Sequence, residues 1–451
     1  MKKILMTSAA AMALTIAAAH AQMVIEPGSD DRINWQSLDD FKAAHPGLEG
    51  QQVTILGPWL GPDQELFISV LPYFEAATGA KVNYSGSDSF EQQIVIDAEA
   101  GSPPDVAVFP QPGLAADLAR KGHLKPLRED ISDWLASNYA AGESWARLST
   151  YPGADGAEHL YVFPYKADVK SLVWYVPENL EDADYEVPTT YEDLKALTEQ
   201  IAADGETPWC IGLGSGGATG WPATDWVEDL MLRLNTPEDY DAWTTNAIPF
   251  NDPRVIAAVD EFGWFAKTDG FAAGGTAGVN STDFRDSPKG LFESPPGCYL
   301  HRQASFIPSF FPEGVEIGVD ADFFYFPAPA DGSRGQPVLG GGTLFGVLSD
   351  NPVAMAFIDF LQTPAAHEIW MSQSGFLTPH TGVNPDAYGS DTSRKMGQIL
   401  LDATTFRFDG SDLMPAAIGA GAVWTARVAY VGGAAAEEVT TTVQDAWATL
   451  N

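Results

Sequence analysis

The chain has 451 residues, 45% of them apolar and 19% charged, and its 24 Lys and Arg against 61 Asp and Glu give a formal charge of −37. A field of that sign repels phosphate backbones and anionic lipid surfaces, which argues against nucleic acid or membrane as a partner and for a neutral ligand. The length exceeds what one hydrophobic core usually organises, so two lobes are expected.

Lys2 and Lys3 stand before an apolar run at residues 4–19, and Ala19-His20-Ala21 places small residues at the two positions a signal peptidase reads. Residues 1–21 are therefore expected to be a signal peptide cleaved near Ala21, which sends the protein to the periplasm. The Ala-rich run is short for a bilayer span, no Cys follows it to carry a lipid anchor, and no later stretch is long enough to cross a membrane. The mature protein is not expected to be membrane-embedded.

Beyond the leader, strands and helices alternate. Val53-Thr54-Ile55-Leu56 reads as a strand, and Leu66, Phe67, Val70, Leu71 and Phe74 share one helical face before a stop at Gly79. Residues 81–84 form a second strand, 89–100 a helix, 105–109 a buried strand, and 112–121 a helix ended by Gly122. This β-α-β-α-β order implies a parallel sheet whose ligand groups gather at the carboxyl ends of its strands, which puts Gly57-Pro58-Trp59 and Pro110-Gln111 at a cleft edge. The apolar run at 160–177 is interrupted at Pro164-Tyr165-Lys166 and resumes at 171–176, the pattern of a strand leaving one lobe for another. Amphipathic helices at 191–203 and 253–267, a Pro- and Gly-rich stretch at 287–297, strands at 323–326 and 340–347, and helices at 352–361 and 436–450 follow. The expected division is 22–165 plus 320–363 for the first lobe and 166–319 plus 364–451 for the second.

Cys210 and Cys298 are the two cysteines. In an oxidising compartment, a pair without CxxC spacing reads as one disulfide, with two buried thiols as the alternative. Two Cys supply half a tetrahedral shell and no His stands at ligand spacing beside either, so no metal is expected. HExxH, GxSxG and Walker patterns are missing. Gly212, Gly214 and Gly217 match GxGxxG, but Pro222 follows closely and no regular helix opens at 218–226, so a flexible loop at the cleft is the better reading than a dinucleotide site. Neither catalytic residues nor a cofactor are assigned.

The aromatic residues are placed unusually. Trp59 follows Gly57-Pro58, Trp221 lies between Gly220 and Pro222, and Trp226 follows Asp225. Indole faces pack on the C–H faces of sugar rings while Asp, Asn, Arg and Gln hydrogen-bond the hydroxyls. Loop tryptophans that merely cap a core are the competing explanation.

Pro103-Pro104-Asp105-Val106-Ala107-Val108, Val162-Phe163-Pro164-Tyr165 leading to Leu172-Val173-Trp174-Tyr175, and the tail from Met414-Pro415 through Trp424 to Glu437-Glu438 together resemble the extracellular solute-binding proteins of ABC sugar importers, the class that includes maltose-binding proteins. Residues 219–226, 301–306 and 408–415 look most like the α-glucoside-binding subgroup. The resemblance implies an α/β, two-lobed, type II-like periplasmic binding protein, each lobe a doubly wound sheet with flanking helices, hinged by several crossovers. It implies a monomer that captures a sugar and delivers it to permease subunits served by a cytoplasmic ATPase. Trp424 falls where the class keeps an aromatic platform, and Arg302 and Gln303 fall where another aromatic stands. The expected site is Trp59, Asp88 and Gln111 on one wall, Trp221, Asp225, Arg302, Gln303 and Trp424 on the other, and Tyr165 at the crossing. Helix capping by Asp88 or Asp225 and an ion pair for Arg302 remain open, as do a secreted glycoside-active enzyme and a receptor for a glycosyl-glycerol, polyol or other compatible solute.

Overall fold

The computed structural model describes residues 23–140 and 142–450, so the expected signal peptide lies outside the described residues. Strands β1 (Gln52–Gly57), β2 (Lys81–Gly86) and β3 (Val106–Phe109) are the parallel unit read from the sequence, with β1 between the other two. Their side chains alternate between two cores: Val53, Ile55, Val106 and Val108 join the largest apolar cluster, whereas Leu56, Ala107 and Phe109 join a second on the opposite face with Phe90, Leu114 and Leu118. A sheet covered on both faces needs such two-sided apolar strands.

A short hairpin, β4 (Thr150–Pro152) with β5 (Glu158–Leu160), precedes β6 (Val162–Val169), which is buried along its whole length. Lys170 and Ser171 then connect β6 to β7 (Leu172–Tyr175), the middle strand of a separate antiparallel sheet with β8 (His301–Arg302) and β9 (Asp322–Tyr325). The eleven-residue β10 (Pro337–Val347) returns antiparallel to both β6 and β3 and lies parallel to β11 (Thr405–Phe408). The chain thus passes between lobes in β6–β7 and again in β9–β10. The second lobe's core gathers around Trp209, Trp226 and the helices Trp221–Leu234, Pro253–Lys267 and Ala436–Ala448. Its sheet is narrower than the first, with three strands and isolated bridges from Trp209 to Ala272 and Leu300.

Two segments depart from the expected lobe boundaries. The helix Pro364–Met371, assigned to the second lobe by order, packs on the first: Ile369, Trp370 and Met371 enter the largest cluster, and Glu368 accepts from the N–H groups of Asn34 at 2.6 Å and Asn384 at 2.8 Å. Conversely, β9 lies in the 320–363 segment but pairs with β7 in the second sheet. An apolar pattern says that a segment is buried, not which core buries it.

Cys210 and Cys298 form a disulfide that spans 88 positions. Both are buried, and Cys298 directly follows the Pro- and Gly-rich stretch at 287–297. No helix among the described residues is long and apolar enough to cross a membrane. A loop of this length gives a cross-link worth about 3–5 kcal/mol if its action is to restrict the unfolded chain. A Cys210→Ala/Cys298→Ala variant should therefore lose about 3–5 kcal/mol of unfolding free energy in urea titration, with the denaturant slope revealing any change in the unfolded state.

Candidate binding cleft

The carboxyl ends of β1, β2 and β3 point the same way, and the residues that follow them, Pro58-Trp59-Leu60, Ser87-Asp88 and Pro110-Gln111, line one wall of a cleft between the lobes. Trp59 is fixed through its backbone: its N–H donates to Tyr84 Oη at 3.0 Å, and the Tyr84 hydroxyl donates to the Trp59 carbonyl at 3.0 Å. The indole is mostly buried against Phe67 and Trp370, with ring centres 4.9 and 5.3 Å away, and shows the cleft only an edge. Gln111 Nε2 donates to Glu91 Oε1 at 3.1 Å, and burial raises the Glu91 carboxyl above its ordinary pKa.

The opposite wall comes from Ser215, Ala218, Trp221, Thr224, Phe284, Phe306 and Trp424. Trp221 opens the helix Trp221–Leu234 and packs edge-on against Phe284 at 5.0 Å. Gly220 holds φ at +114°, and a Cβ there would lie 2.4 Å from the Trp424 carbonyl oxygen. Only glycine permits both the backbone turn and the close seating of Trp221 beside Trp424.

Charged groups form the floor. Lys166 Nζ meets Asp168 at 2.5 Å and lies 5.3 Å from the Phe306 ring centre. Lys170, at the crossing between lobes, pairs with Asp225 at 2.9 Å and with Asp409, and lies 5.6 Å from the ring centre of Trp221. Burial pushes the Asp225 carboxyl up to about 7 against the pull of Lys170. Burial also opposes ionisation of Asp409, but Lys170 and the surrounding carboxyl hydrogen bonds override it and hold Asp409 well below the usual range. Asp63 is pushed up to about 6 by burial, which Lys166 partly offsets. The third cation, Arg285, pairs with Asp283 at 3.2 Å. Every cation of the lining thus has a carboxylate, whereas Asp63, Asp88, Glu91 and Asp412 make no direct ion pair among the described residues.

The space between the walls, counted out to its mouth, is about 950 Å³. Four buried polar atoms of its lining residues, Gln111 Oε1, Arg285 Nε, Thr343 Oγ1 and Trp424 Nε1, have no hydrogen-bond partner in the protein. Buried groups of this kind are costly unless something satisfies them. His, Cys, Asp and Glu form no cluster suited to a metal among the described residues.

The sequence pattern of the bacterial extracellular solute-binding protein family matches residues 59–368. The chain belongs to this family. It is 62% identical over 456 residues, covering 99% of each chain, to the alpha-glucosides-binding periplasmic protein AglE of Rhizobium meliloti (strain 1021). It is 41% identical over 406 residues, covering 89% of this chain and 94% of the relative, to the osmoprotective compounds-binding protein GgtB of Synechocystis sp. (strain ATCC 27184 / PCC 6803 / Kazusa). The fold matches that of the bacterial solute receptor AcbH, whose described preference is for b-D-galactopyranose, with a TM-score of 0.75 at 20% identity over 89% of this chain and 99% of that one. It also matches maltose-bound T. maritima MalE3, with a TM-score of 0.68 at 14% identity over 89% and 100%. The protein is thus a two-lobed extracellular solute receptor rather than an enzyme.

In this solute-binding protein, the cleft brings together Trp59, Asp88, Gln111, Trp221 and Trp424 from the expected set. Tyr165, Asp225, Arg302 and Gln303 do not line it, and each has partners of its own in the protein. Tyr165 is buried in the first lobe and donates to the Ala366 carbonyl at 2.5 Å. Asp225 lies beneath the lining with its carboxyl turned to Lys170. Arg302 takes the ion-pair alternative, donating to Asp229 Oδ2 at 2.7 Å over the Trp226 ring. Gln303 Oε1 accepts from Ala304 N at 2.8 Å, and its carbonyl accepts from Trp174 Nε1 at 3.0 Å. Neither aspartate caps a helix: Ser89 and Gly220 hold the N-cap positions, without a side-chain cap bond in either case. Trp226, grouped with the loop tryptophans by sequence, is a core residue 5.1 Å from Trp209.

The lining residues that sequence reasoning passed over are Asp63, Glu91, Asp168, Lys170, Thr343, Asp409 and Asp412. Asp409 and Asp412 stand inside the 408–415 segment already noted for its resemblance, and Thr343 follows the Gly340-Gly341-Gly342 run; those were the available signals.

Arg302→Leu removes one of the two guanidinium partners of Asp229, which keeps Arg233 and the Ser171 hydroxyl, and should destabilise the fold by about 1–3 kcal/mol, checked by urea unfolding, while leaving ligand affinity per folded molecule unchanged. Asp225, with its folded pKa raised, makes the native state bind more protons than the unfolded chain between pH ~4 and ~7. Its contribution to stability therefore falls as pH rises through that window, so the loss of stability from pH 4.5 to 7.5 should be smaller in Asp225→Asn than in the wild type.

Proposed function

We propose that the protein captures an α-glucoside or a related small neutral sugar between its lobes in the periplasm and delivers it to the permease subunits of an ABC importer, whose cytoplasmic ATPase drives transport. Gln111 Oε1, Thr343 Oγ1 and Trp424 Nε1 carry this reading: an acceptor, a hydroxyl and a donor, buried and without protein partners, belong to residues that line one cleft from both walls. A hydroxyl-rich ligand satisfies them together and lays its C–H faces on the Trp221 and Trp424 rings. The name of the 62% identical relative supports the α-glucoside. The surplus of carboxylates in the lining supports an uncharged ligand over a phosphorylated or acidic one, since an added anion would be desolvated beside like charge. The name of the 41% identical relative, an osmoprotective compounds-binding protein, makes a compatible solute the competing ligand class on the same lobes. On this account the receptor works as a monomer after cleavage near Ala21.

Tryptophan fluorescence or calorimetric titration with trehalose, sucrose, maltose, glucose and glucosylglycerol tests the reading. A saturable response to an α-glucoside, with the sugar recovered unchanged, is expected, and trehalose 6-phosphate should bind at least tenfold more weakly than trehalose. Trp221→Ala should weaken binding by about tenfold or more through lost stacking, and Thr343→Val by roughly five- to tenfold through one lost hydrogen bond, with little effect on unfolding. Silence toward all five sugars rules out the ligand assignment.

A further inference from the structure

The two lobes touch on both flanks of the cleft. On one flank, the N–H of Gly217, in the short helical turn Gly216–Ala218, donates to the Asp88 carbonyl at 3.2 Å. A Cβ on Gly217 would lie 2.9 Å from Ser89 Oγ and 3.2 Å from Ser89 Cα. On the other flank, the helix Pro112–Arg120 lies against residues 412–416. A Cβ on Gly113 would lie 1.8 Å from the Met414 carbonyl oxygen, and Asp117 Oδ2 accepts from Ala416 N at 2.9 Å. Phe90, Leu114 and Leu118 anchor Ser89 and Gly113 in the first lobe; Leu213 and Met414 anchor their counterparts in the second.

We propose that Gly113 and Gly217 are positioning residues: bare backbone surfaces through which the lobes clasp, so that glycine at these two places sets ligand affinity without touching ligand. This rests on the reading of the cleft as a two-lobed capture site. The clash at position 113 is with a main-chain oxygen, so no rotamer change relieves it; a side chain there must hold the lobes apart or displace the 412–416 turn. Neither glycine has a positive φ. Alanine therefore suits the backbone of each residue within its own lobe, and inside the helix Pro112–Arg120 alanine is the better helix former. The cost of the substitution falls on the closed arrangement alone. Because ligand stabilises closure only by its differential affinity for the two states, a closed state made less favourable lowers apparent affinity by the same factor.

The GxGxxG pattern thereby acquires a use unrelated to phosphate. Its third glycine meets the partner lobe, and the N–H that a nucleotide loop would offer to an anion is given to the Asp88 carbonyl.

Two arms test the clasp. In the first, Gly113→Ala should melt at or above the wild-type temperature and bind the best α-glucoside at least tenfold more weakly, with Gly217→Ala showing a smaller loss in the same direction. Unchanged affinity, or a melting temperature well below wild type, overturns the assignment of Gly113. In the second, which needs no ligand and leaves both glycines in place, an Asp117→Cys/Ala416→Cys chain is exposed to a mild oxidant and digested without reduction. A cross-linked peptide should appear, and adding Gly113→Ala should slow its formation at least tenfold. Failure to cross-link, or a rate indifferent to Gly113→Ala, overturns the clasp. A chain that cross-links as expected but binds none of the sugars supports the clasp and removes the α-glucoside reading instead.

Discussion

Lys170 is the residue on which the arrangement of the lobes depends. It follows the last residue of β6, where the chain leaves the first sheet, and its ammonium is buried between Asp225 of the helix Trp221–Leu234 and Asp409 at the end of β11. A cation removed from water costs several kcal/mol unless carboxylates surround it, and the geometry that satisfies it is narrow. Three segments far apart in sequence are therefore fixed relative to one another at the floor of the cleft. Glu228 extends the restraint by accepting from the N–H groups of Gly410 and Ser411 at 2.8 and 2.9 Å, which seats the turn after Asp409.

The floor is held by internal ion pairs, whereas Gln111, Thr343 and Trp424 of the lining each keep a buried polar atom without a protein partner. Arg302 and Trp226 are as well suited to a sugar as Trp221, yet they face Asp229 and Trp209 and lie outside the lining of the cleft. On the proposed reading the ligand engages groups of the lining that the fold leaves unsatisfied, and the interlobe contacts at Gly113 and Gly217 set how closely the walls approach.

The first sheet was legible because its signals are local. Short apolar runs alternating with amphipathic helices define a parallel unit, and the carboxyl ends of such strands face one edge, which placed Trp59, Asp88 and Gln111 together without knowledge of the rest. Trp221 and Trp424 came from loop placement and from resemblance. Tyr165, Asp225, Arg302 and Gln303 did not reach the lining because their partners are distant in sequence: Ala366, Lys170, Asp229 and Trp174 lie 201, 55, 73 and 129 positions away. A polar residue near a cleft in sequence is equally suited to a ligand and to an internal partner, and only three dimensions tell which has claimed it. The boundary segments failed for a related reason, since Ile369 and Trp370 are apolar in either lobe.

The most direct measurement of the central claim is a crystal structure of the protein grown with the tightest-binding α-glucoside. The account places ring hydroxyls within hydrogen-bond distance of Gln111, Thr343 and Trp424 at once, with a sugar face on Trp221. A ligand bound outside this cleft, or one that leaves those three groups unengaged, would contradict it.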